Sequence, residues 1–312
     1  MELLTNFEKI KEKLQKRNQI AKMVVAGADN ESILECCRKV KDLKIADSIL
    51  VGDKKSIIEL ASKINVNISD FEIVDIKDEN EIAQYSTKLV HEGKAKILTK
   101  GSAETKPMMQ AILNKEFGIK NDNKITGASI FEFNQNGKTR FLLISEAGII
   151  PYPTLEDKVA IINHSVEVAH LVGIENPKVA VLSAVEVVNP KMKETVEADK
   201  LSKMNDNGEI KGCIVDGPLS LDLAIDPEAC ALKKISNRKI QGDADILIFH
   251  DMHSANYVYK IFTHILKWKS ATVIIGTKAP CVLASRSDSF DNKFNSIVLS
   301  LLYSEFLLNK NN

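Results

Sequence analysis

The run Ser285-Arg286-Ser287-Asp288-Ser289 lies between an apolar stretch, "VIIGTKAPCVLA", and a long apolar-periodic one, "FDNKFNSIVLSLLYSEFLL". Only five of the 42 cationic side chains are arginines (Arg17, Arg38, Arg140, Arg238 and Arg286), and one of them stands here. Hydroxyls, a guanidinium and the free backbone N–H groups of a helix start are the groups that hold a phosphate. The competing reading is an ordinary helix start, in which Ser287 or Asp288 caps the helix and Arg286 faces solvent.

A second polar cluster, His250, Asp251 and His253 in "FHDMHSANYVYK", follows the apolar run "ADILI". Strand ends are where α/β proteins bind ligands. The two histidines are three apart in an expected loop with no third or fourth ligand, so no metal site is expected. "NGKT" (Asn136 to Thr139) looks like part of a phosphate loop, but Glu132 occupies the place of the required glycine and a strand pattern follows, so it reads as a turn. Cys281, in the apolar "APCVLAS", reads as a packed thiol. His164 and His170 read as structural or interface residues on a helix. No G-x-G-x-x-G, G-x-S-x-G or H-E-x-x-H is present, which removes the usual dinucleotide, esterase and zinc-protease readings. What remains is chemistry done by binding and orienting two substrates.

The elements that must position these groups alternate between strand and helix. "KMVVAG", "DSILVG", "EIVDI", "KILTKG", "KVAVLSA", "GCIVDG", "ADILIFH" and "TVIIGT" read as buried parallel strands, with amphipathic helical stretches between them. The fold class is α/β: two α/β domains with mainly parallel sheets around a cleft. "TGASIFEFNQNGKTRFLLISEAG" breaks the rhythm as a hairpin around Asn136-Gly137. With "PYPT" it sets the expected boundary: residues 1–145 plus 289–312 form one domain, and 146–288 the other. The last helix is expected to dock back onto the first domain. Gly217-Pro218 in "VDGPLS" reads as a turn where backbone approaches ligand, with Asp216 supporting it.

With 312 residues, 44% apolar and 27% charged, the chain is that of an ordinary soluble protein. Its 42 cations balance its 42 anions, which argues against a nucleic-acid or anionic-membrane partner. Five cysteines without paired metal spacing fit a reducing cytosol. No signal-peptide block and no apolar run of about 18 residues is present, so a cytoplasmic location is expected.

Several ordered stretches resemble the phosphate acetyltransferase and phosphate butyryltransferase family, nearest its butyryl branch. They are "GIENPKVAVLSAVEVVNPKM", "LSKMNDNGEIKGCIVDGPLSLDLAI", and "GTKAPCVLASRSDS" ahead of "KFNSIVLSLL". "LTKGSAETKPMMQAIL" continues the likeness more weakly, so that it covers nearly the whole chain. The resemblance implies a fold similar to isocitrate and isopropylmalate dehydrogenases and a homodimer or larger homo-oligomer. It also implies a reaction in which acyl-CoA plus phosphate gives acyl phosphate plus CoA, by direct attack in a ternary complex. CoA, acyl-CoA and phosphate are then small-molecule substrates, and no permanent cofactor is implied. Ser285 and Arg286 match the family's phosphate-binding pair, and Asp288 or Asp291 is the acid/base candidate. The acetyl branch carries its aspartate where Asn292 stands. Lys100 and Lys278, at strand ends, are candidates for a phosphate of CoA, beside a plain solvated reading.

The chain departs from its family's pattern at positions tied to the site. Gln110 stands where an arginine is usual, Glu146 for an aspartate and Ile150 for an asparagine. His253 replaces a glutamate and Ala255 a glycine, while Asn256, Tyr259 and Lys260 are kept. Losing a charge-assisted hydrogen bond costs about 1.5–3 kcal/mol. Beside a working enzyme with an altered acyl pocket, two alternatives therefore stand. One is a catalytically impaired relative that still binds CoA or acyl phosphate. The other is a different acyl- or phosphate-handling enzyme that uses the His250–His253 region.

Overall fold

Short β-branched runs and amphipathic stretches alternate along the chain, and each takes its expected form in the computed structural model, which describes residues 2–17, 19–121, 124–285 and 287–311. The first elements are α1 (Phe7–Gln15), β1 (Ala21–Ala26), α2 (Glu31–Asp42), β2 (Ala46–Gly52), α3 (Lys54–Lys63) and β3 (Glu72–Asp75). Then come α4 (Glu79–His91), β4 (Ile97–Lys100) and α5 (Thr105–Ile112). A hairpin of β5 (Thr126–Gln135) and β6 (Lys138–Ser145) precedes α6 (Leu155–Leu171), β7 (Lys178–Leu182), α7 (Lys193–Asp206) and β8 (Ile214–Leu219). Short helices α8 (Leu221–Ile225) and α9 (Pro227–Leu232) lead to β9 (Ile246–Ile248) and α10 (Met252–Lys260). A π-helical turn (Ile261–Ile265) extends α10, and β10 (Ser270–Ile275), β11 (Cys281–Val282) and α11 (Phe290–Asn311) follow.

Contacts divide the chain into two compact α/β units. The amino-terminal unit comprises Phe7–Ile125 and Ser270–Asn312; the central unit comprises Met1–Asn6 and Thr126–Lys269. In the amino-terminal unit the strand order is β3-β2-β1-β4-β11-β10, parallel except where β10 meets β11. In the central unit it is β5-β6-β9-β7-β8, parallel except for the hairpin. This division differs from the sequence expectation of 1–145 with 289–312 against 146–288 in three segments. The stretch before α1 goes with the central unit, where Leu4 N donates to the Val172 carbonyl at 2.8 Å. The hairpin goes with the central unit because β6 pairs with β9, Leu143 opposite Ile246. Residues 270–288 go with the amino-terminal unit because β11 pairs with β4, Cys281 opposite Leu98. Local patterning reveals a strand but not its neighbour in the sheet.

Helices start where side-chain oxygens replace missing partners at the strand ends. Asn30 accepts from Ile33 N ahead of α2, Asp53 from Lys55 N and Ser56 N ahead of α3, and Asp78 from Asn80 N and Glu81 N ahead of α4. Thr154 and Asp157 form a reciprocal capping box on α6. The hairpin turns on Asn136 and Gly137, both at positive φ (52° and 78°), as a two-residue type I′ connection requires. The central core gathers Phe131, Tyr259 and Phe262, with ring centroids 5.7 and 5.2 Å from Phe131, and so seats α10 on the sheet.

Backbones approach closely at the carboxyl ends of β1 and β4. A Cβ on Gly101 would lie 2.0 Å from the Gly27 carbonyl oxygen, whereas one on Gly137 meets nothing within 4 Å. Gly101→Ala is expected to cost about 2–3 kcal/mol, since backbone must move. Gly137→Ala should cost only about 1 kcal/mol for its positive φ. Denaturant unfolding of the two variants checks the order.

Candidate active site

Several sequence-predicted site residues fall near the carboxyl ends of the parallel strands in each unit, the end at which such sheets bind ligands; Lys278 does not, since it lies between antiparallel β10 and β11, beside Lys96 at the amino end of β4. In the amino-terminal unit the run Ser285–Ser289 enters α11. The Ser285 N–H donates to Asp288 Oδ2 at 2.8 Å, the Asp288 N–H returns a bond to the Ser285 carbonyl at 3.2 Å, and the Ser285 and Ser287 hydroxyls stand 3.1 Å apart. Ser285 and Ser287 are exposed at this turn. Arg286 lies outside the described residues. The helix cap is neither Ser287 nor Asp288: Ser289 Oγ accepts from Asn292 N at 3.2 Å, and α11 starts at Phe290. Asp288 is half-buried and engaged within the turn, whereas Asp291 is exposed in the first turn of α11.

Asn292 does structural work that the sequence did not reveal. Its Oδ1 accepts from Ser270 N at 3.1 Å, and Ser296, one turn on, accepts from Thr272 N at 2.9 Å. Two side chains on one face of α11 thus satisfy alternate N–H groups of β10. Lys293 is 7% exposed and donates to Ser32 Oγ at 2.8 Å, tying α11 to the start of α2. The remaining candidates of this unit are spread apart in kind. Gln110 is exposed on α5, Lys100 is buried at the end of β4, and the exposed Lys278 is held through its backbone N–H to the Ile119 carbonyl at 2.7 Å. Cys281 is fully buried in β11, and burial pushes its thiol up to about 12, so it is no nucleophile.

In the central unit, Glu146 follows β6 directly and is 2% exposed. Its carboxylate accepts backbone N–H groups from Gly127 at 2.6 Å, Gly148 at 2.8 Å and Ile149 at 2.5 Å. Desolvation pushes its pKa up while the three bonds pull it down, and burial prevails. The side chain organises the 146–150 loop, leaving little of the carboxylate for a ligand. Asn256 donates to the Ala147 carbonyl at 3.0 Å and holds that loop from α10. His253 is exposed, with Nε2 3.2 Å from the Tyr152 hydroxyl. Lys260 lies over the Tyr259 ring at 5.2 Å.

Two expected turn residues take another role. Gly217 and Pro218 lie inside β8, where a Cβ on Gly217 would meet the Val181 side chain at 2.9 Å and that of Ala198 at 3.1 Å. Glycine is there for close strand and helix packing. Asp216 accepts from Lys239 N and Ile240 N at 2.8 and 3.2 Å, fixing the 238–240 segment. His164 bonds Thr126 Oγ1 at 2.8 Å and His170 the Gly212 carbonyl at 2.9 Å.

A group that sequence reasoning passed over sits at the end of β9. Lys158, on α6, is 1% exposed, and its Nζ lies 2.5 Å from Glu197 Oε2 and 3.0 Å from His250 Nδ1. His250 Nε2 lies 3.5 Å from Glu194 Oε1. The signal was a lysine on the apolar side of "LEDKVAIINHSVEVAHLVGI", a placement that requires buried acceptors.

The family described as "Phosphate acetyl/butaryl transferase" matches residues 6–112 and 81–301. The chain belongs to this family. A phosphate butyryltransferase of Clostridium acetobutylicum is 41% identical over 300 residues, 96% of this chain and 98% of the relative. A phosphate acetyltransferase of Thermotoga maritima is 38% identical over 287 residues, 92% of this chain and 96% of the relative. Among solved structures, a branched-chain phosphotransacylase from Enterococcus faecalis V583 superposes with a TM-score of 0.80 at 30% identity, covering 91% of this chain and 99% of that one. The fold of a phosphotransacylase is therefore present over nearly the whole chain.

The capping geometry makes a direct prediction. Ser289→Ala should cost about 1 kcal/mol, and Ser287→Ala less than half of that. Chemical denaturation of both variants distinguishes the cap from its neighbour.

Proposed function

We propose that this chain is a phosphate acyltransferase that interconverts a short-chain acyl-CoA and phosphate with an acyl phosphate and CoA. Full-length kinship with phosphate butyryltransferase is the observation that carries the reading. A phosphate oxygen attacks the thioester carbonyl carbon, the C–O bond forms, and the C–S bond breaks with its electron pair passing to sulfur. Such chemistry needs no covalent enzyme intermediate, which suits a chain whose Cys281 thiol is buried and held protonated. It depends on holding two reactants in register and stabilising charge on the carbonyl oxygen.

The exposed turn at Ser285 and Ser287, ahead of a 22-residue helix, supports a phosphate site. Two serine hydroxyls stand together there, 3.1 Å apart, and the dipole of the following helix favours an anion. Arg286 would add a bidentate grip. Of the two acid/base candidates, Asp291 is the exposed one, while Asp288 is engaged with Ser285 N. Relatives from both the butyryl and the acetyl branch are about equally similar, so the acyl group is a choice within the short-chain class. No helix among the described residues is long and apolar enough to cross a membrane. A cytoplasmic homo-oligomer acting on small molecules completes the proposal.

Release of CoA from acetyl-, propionyl- and butyryl-CoA, with and without phosphate, tests it. Phosphate-dependent release from at least one thioester is expected, and none from any of them would overturn the reading. Arg286→Gln should lower kcat/KM for phosphate about 100-fold or more, the equivalent of losing about 3 kcal/mol of charge-assisted bonding. Its KM for acyl-CoA should stay within threefold.

A further inference from the structure

Lys293, in the first turn of α11, is a buried cation without a counter-charge. The residue is 7% exposed, and its Nζ donates to Ser32 Oγ at 2.8 Å. That hydroxyl is neutral and gives its own proton to Asn30 Oδ1 at 2.9 Å. Among the described residues no carboxylate pairs with Lys293. A buried ammonium ordinarily has such a partner, and this one has donors to spare. Its setting sharpens the deficit. Ser32 is the second residue of α2, the N-cap Asn30 satisfies Ile33 N, and the N–H groups of Glu31 and Ser32 meet no acceptor among the described residues. The ammonium thus stands at the positive end of a 12-residue helix, the end that favours an anion. Nearby carboxylates are engaged or turned away. Glu31 lies 3.5 Å from Lys63, and Asp29 accepts from Ser102 Oγ at 2.5 Å. The exposed Asp291 stands two positions before Lys293, about 200° round α11. At Cys36, whose thiol meets the Phe290 carbonyl across the seam between α2 and α11, the ammoniums of Lys293 and Lys39 act against the single carboxylate of Glu35.

We propose that Lys293, with the free N–H groups of Glu31 and Ser32, forms a second phosphoryl-binding subsite in the amino-terminal unit, at the start of α2. The inference rests on the phosphate acyltransferase reading given above, whose reactants bring two sources of such a group: inorganic phosphate and the phosphates of CoA. A lysine in a first helical turn leans back towards the helix start, so its Nζ points the way the Ser285–Ser289 turn lies. Asn30 and Ser32 are half-buried while Asp29 and Glu31 are exposed, which leaves the start of α2 open to an incoming ligand. A phosphoryl oxygen takes the remaining ammonium hydrogens and the two backbone N–H groups, and its charge supplies the missing counterpart. Several donors converging on one point suit a group with three terminal oxygens better than a carboxylate with two. Ser32 Oγ, its proton committed to Asn30, positions the ammonium and does not touch the ligand.

Two measurements on the full chain test this, and neither needs turnover. First, in the wild-type protein the backbone amide NMR signals of Glu31 and Ser32 should shift on titration with inorganic phosphate or with CoA. If neither ligand moves them, the subsite does not exist. Second, calorimetric titrations compare wild type with Lys293→Gln, which removes the charge while keeping an N–H donor for Ser32. The ligands are phosphate, CoA, dephospho-CoA, which lacks the 3′-phosphate, and pantetheine, which lacks every phosphate. Affinity for phosphate or for CoA should fall about tenfold or more, the effect of losing a charge-assisted bond, with pantetheine binding unchanged within about twofold. A loss for phosphate alone assigns inorganic phosphate to the subsite. A loss for CoA but not dephospho-CoA assigns the 3′-phosphate, and a loss for both assigns the pyrophosphate. Equal affinities of the two proteins for every ligand, as a purely structural tie to Ser32 predicts, or a loss that extends to pantetheine, would overturn the proposal. A chain that binds in this Lys293-dependent way yet releases no CoA from any thioester refutes the acyl-transfer reading and leaves the subsite standing.

Discussion

A buried ammonium stays charged only where acceptors surround it, and Lys158 is the constraint around which the central unit's ligand-facing end is built. It sits in the first turn of α6, 1% exposed, and its two acceptors are Glu197 of α7 and His250, between β9 and α10. Removing a single partner from such a buried group typically costs 3–5 kcal/mol, because the remaining charge is left without its counterpart. Three elements that are distant in sequence are thus held to one arrangement. The capping box of Thr154 and Asp157 sets where α6 begins and therefore where Lys158 points. The end of β9 in turn carries His250 into α10, whose cap Asp251 accepts from Ser254 N.

The amino-terminal unit solves a comparable problem with neutral groups. α11 is buried nearly all round through its middle turns, from Asn292 to Ser304. Polar side chains in that position are least costly where they meet partners, although the Ser300 hydroxyl is buried without one. Asn292 and Ser296 meet the N–H groups of Ser270 and Thr272, so α11 fixes β10 while β11 pairs with β4. The turn at Ser285–Ser289 is then placed by a helix that cannot shift without breaking strand contacts. Asn292, a carboxamide with no titrating proton, takes no acid/base part, and its amide oxygen is committed to the Ser270 N–H.

Much of the fold was legible in sequence because it is local. Period-two and period-3.6 patterns locate strands and helices, and Asn136-Gly137 demands a type I′ turn whatever surrounds it. The places where reading failed depend on partners far along the chain. No local rule tells that β6 pairs with β9, or that residues 270–282 belong with β4. Gly217-Pro218 has the composition of a turn, yet Val181 and Ala198 press on that glycine and keep it in β8. The site was legible in the same uneven way. Ser285 and its neighbours announce themselves by composition, whereas the roles of Glu146, Asn292 and Lys158 appear only when their acceptors and donors are seen.

The substitutions that set this chain apart argue for remodelling rather than decay. A site that has lost its function should leave unsatisfied or idle groups where a ligand was once held. Glu146, standing for an aspartate, accepts three backbone N–H groups and is 2% exposed. Its extra methylene does not leave the carboxylate adrift; the loop has closed around it. Asn256 is kept and holds the same loop through the Ala147 carbonyl. His253, standing for a glutamate, meets the Tyr152 hydroxyl. Gln110 lies exposed on its helix, and there the loss of a cation is a change in charge, not in structure. A neutral amide there offers no charge to an anion, while the serine-rich turn ahead of α11 is kept.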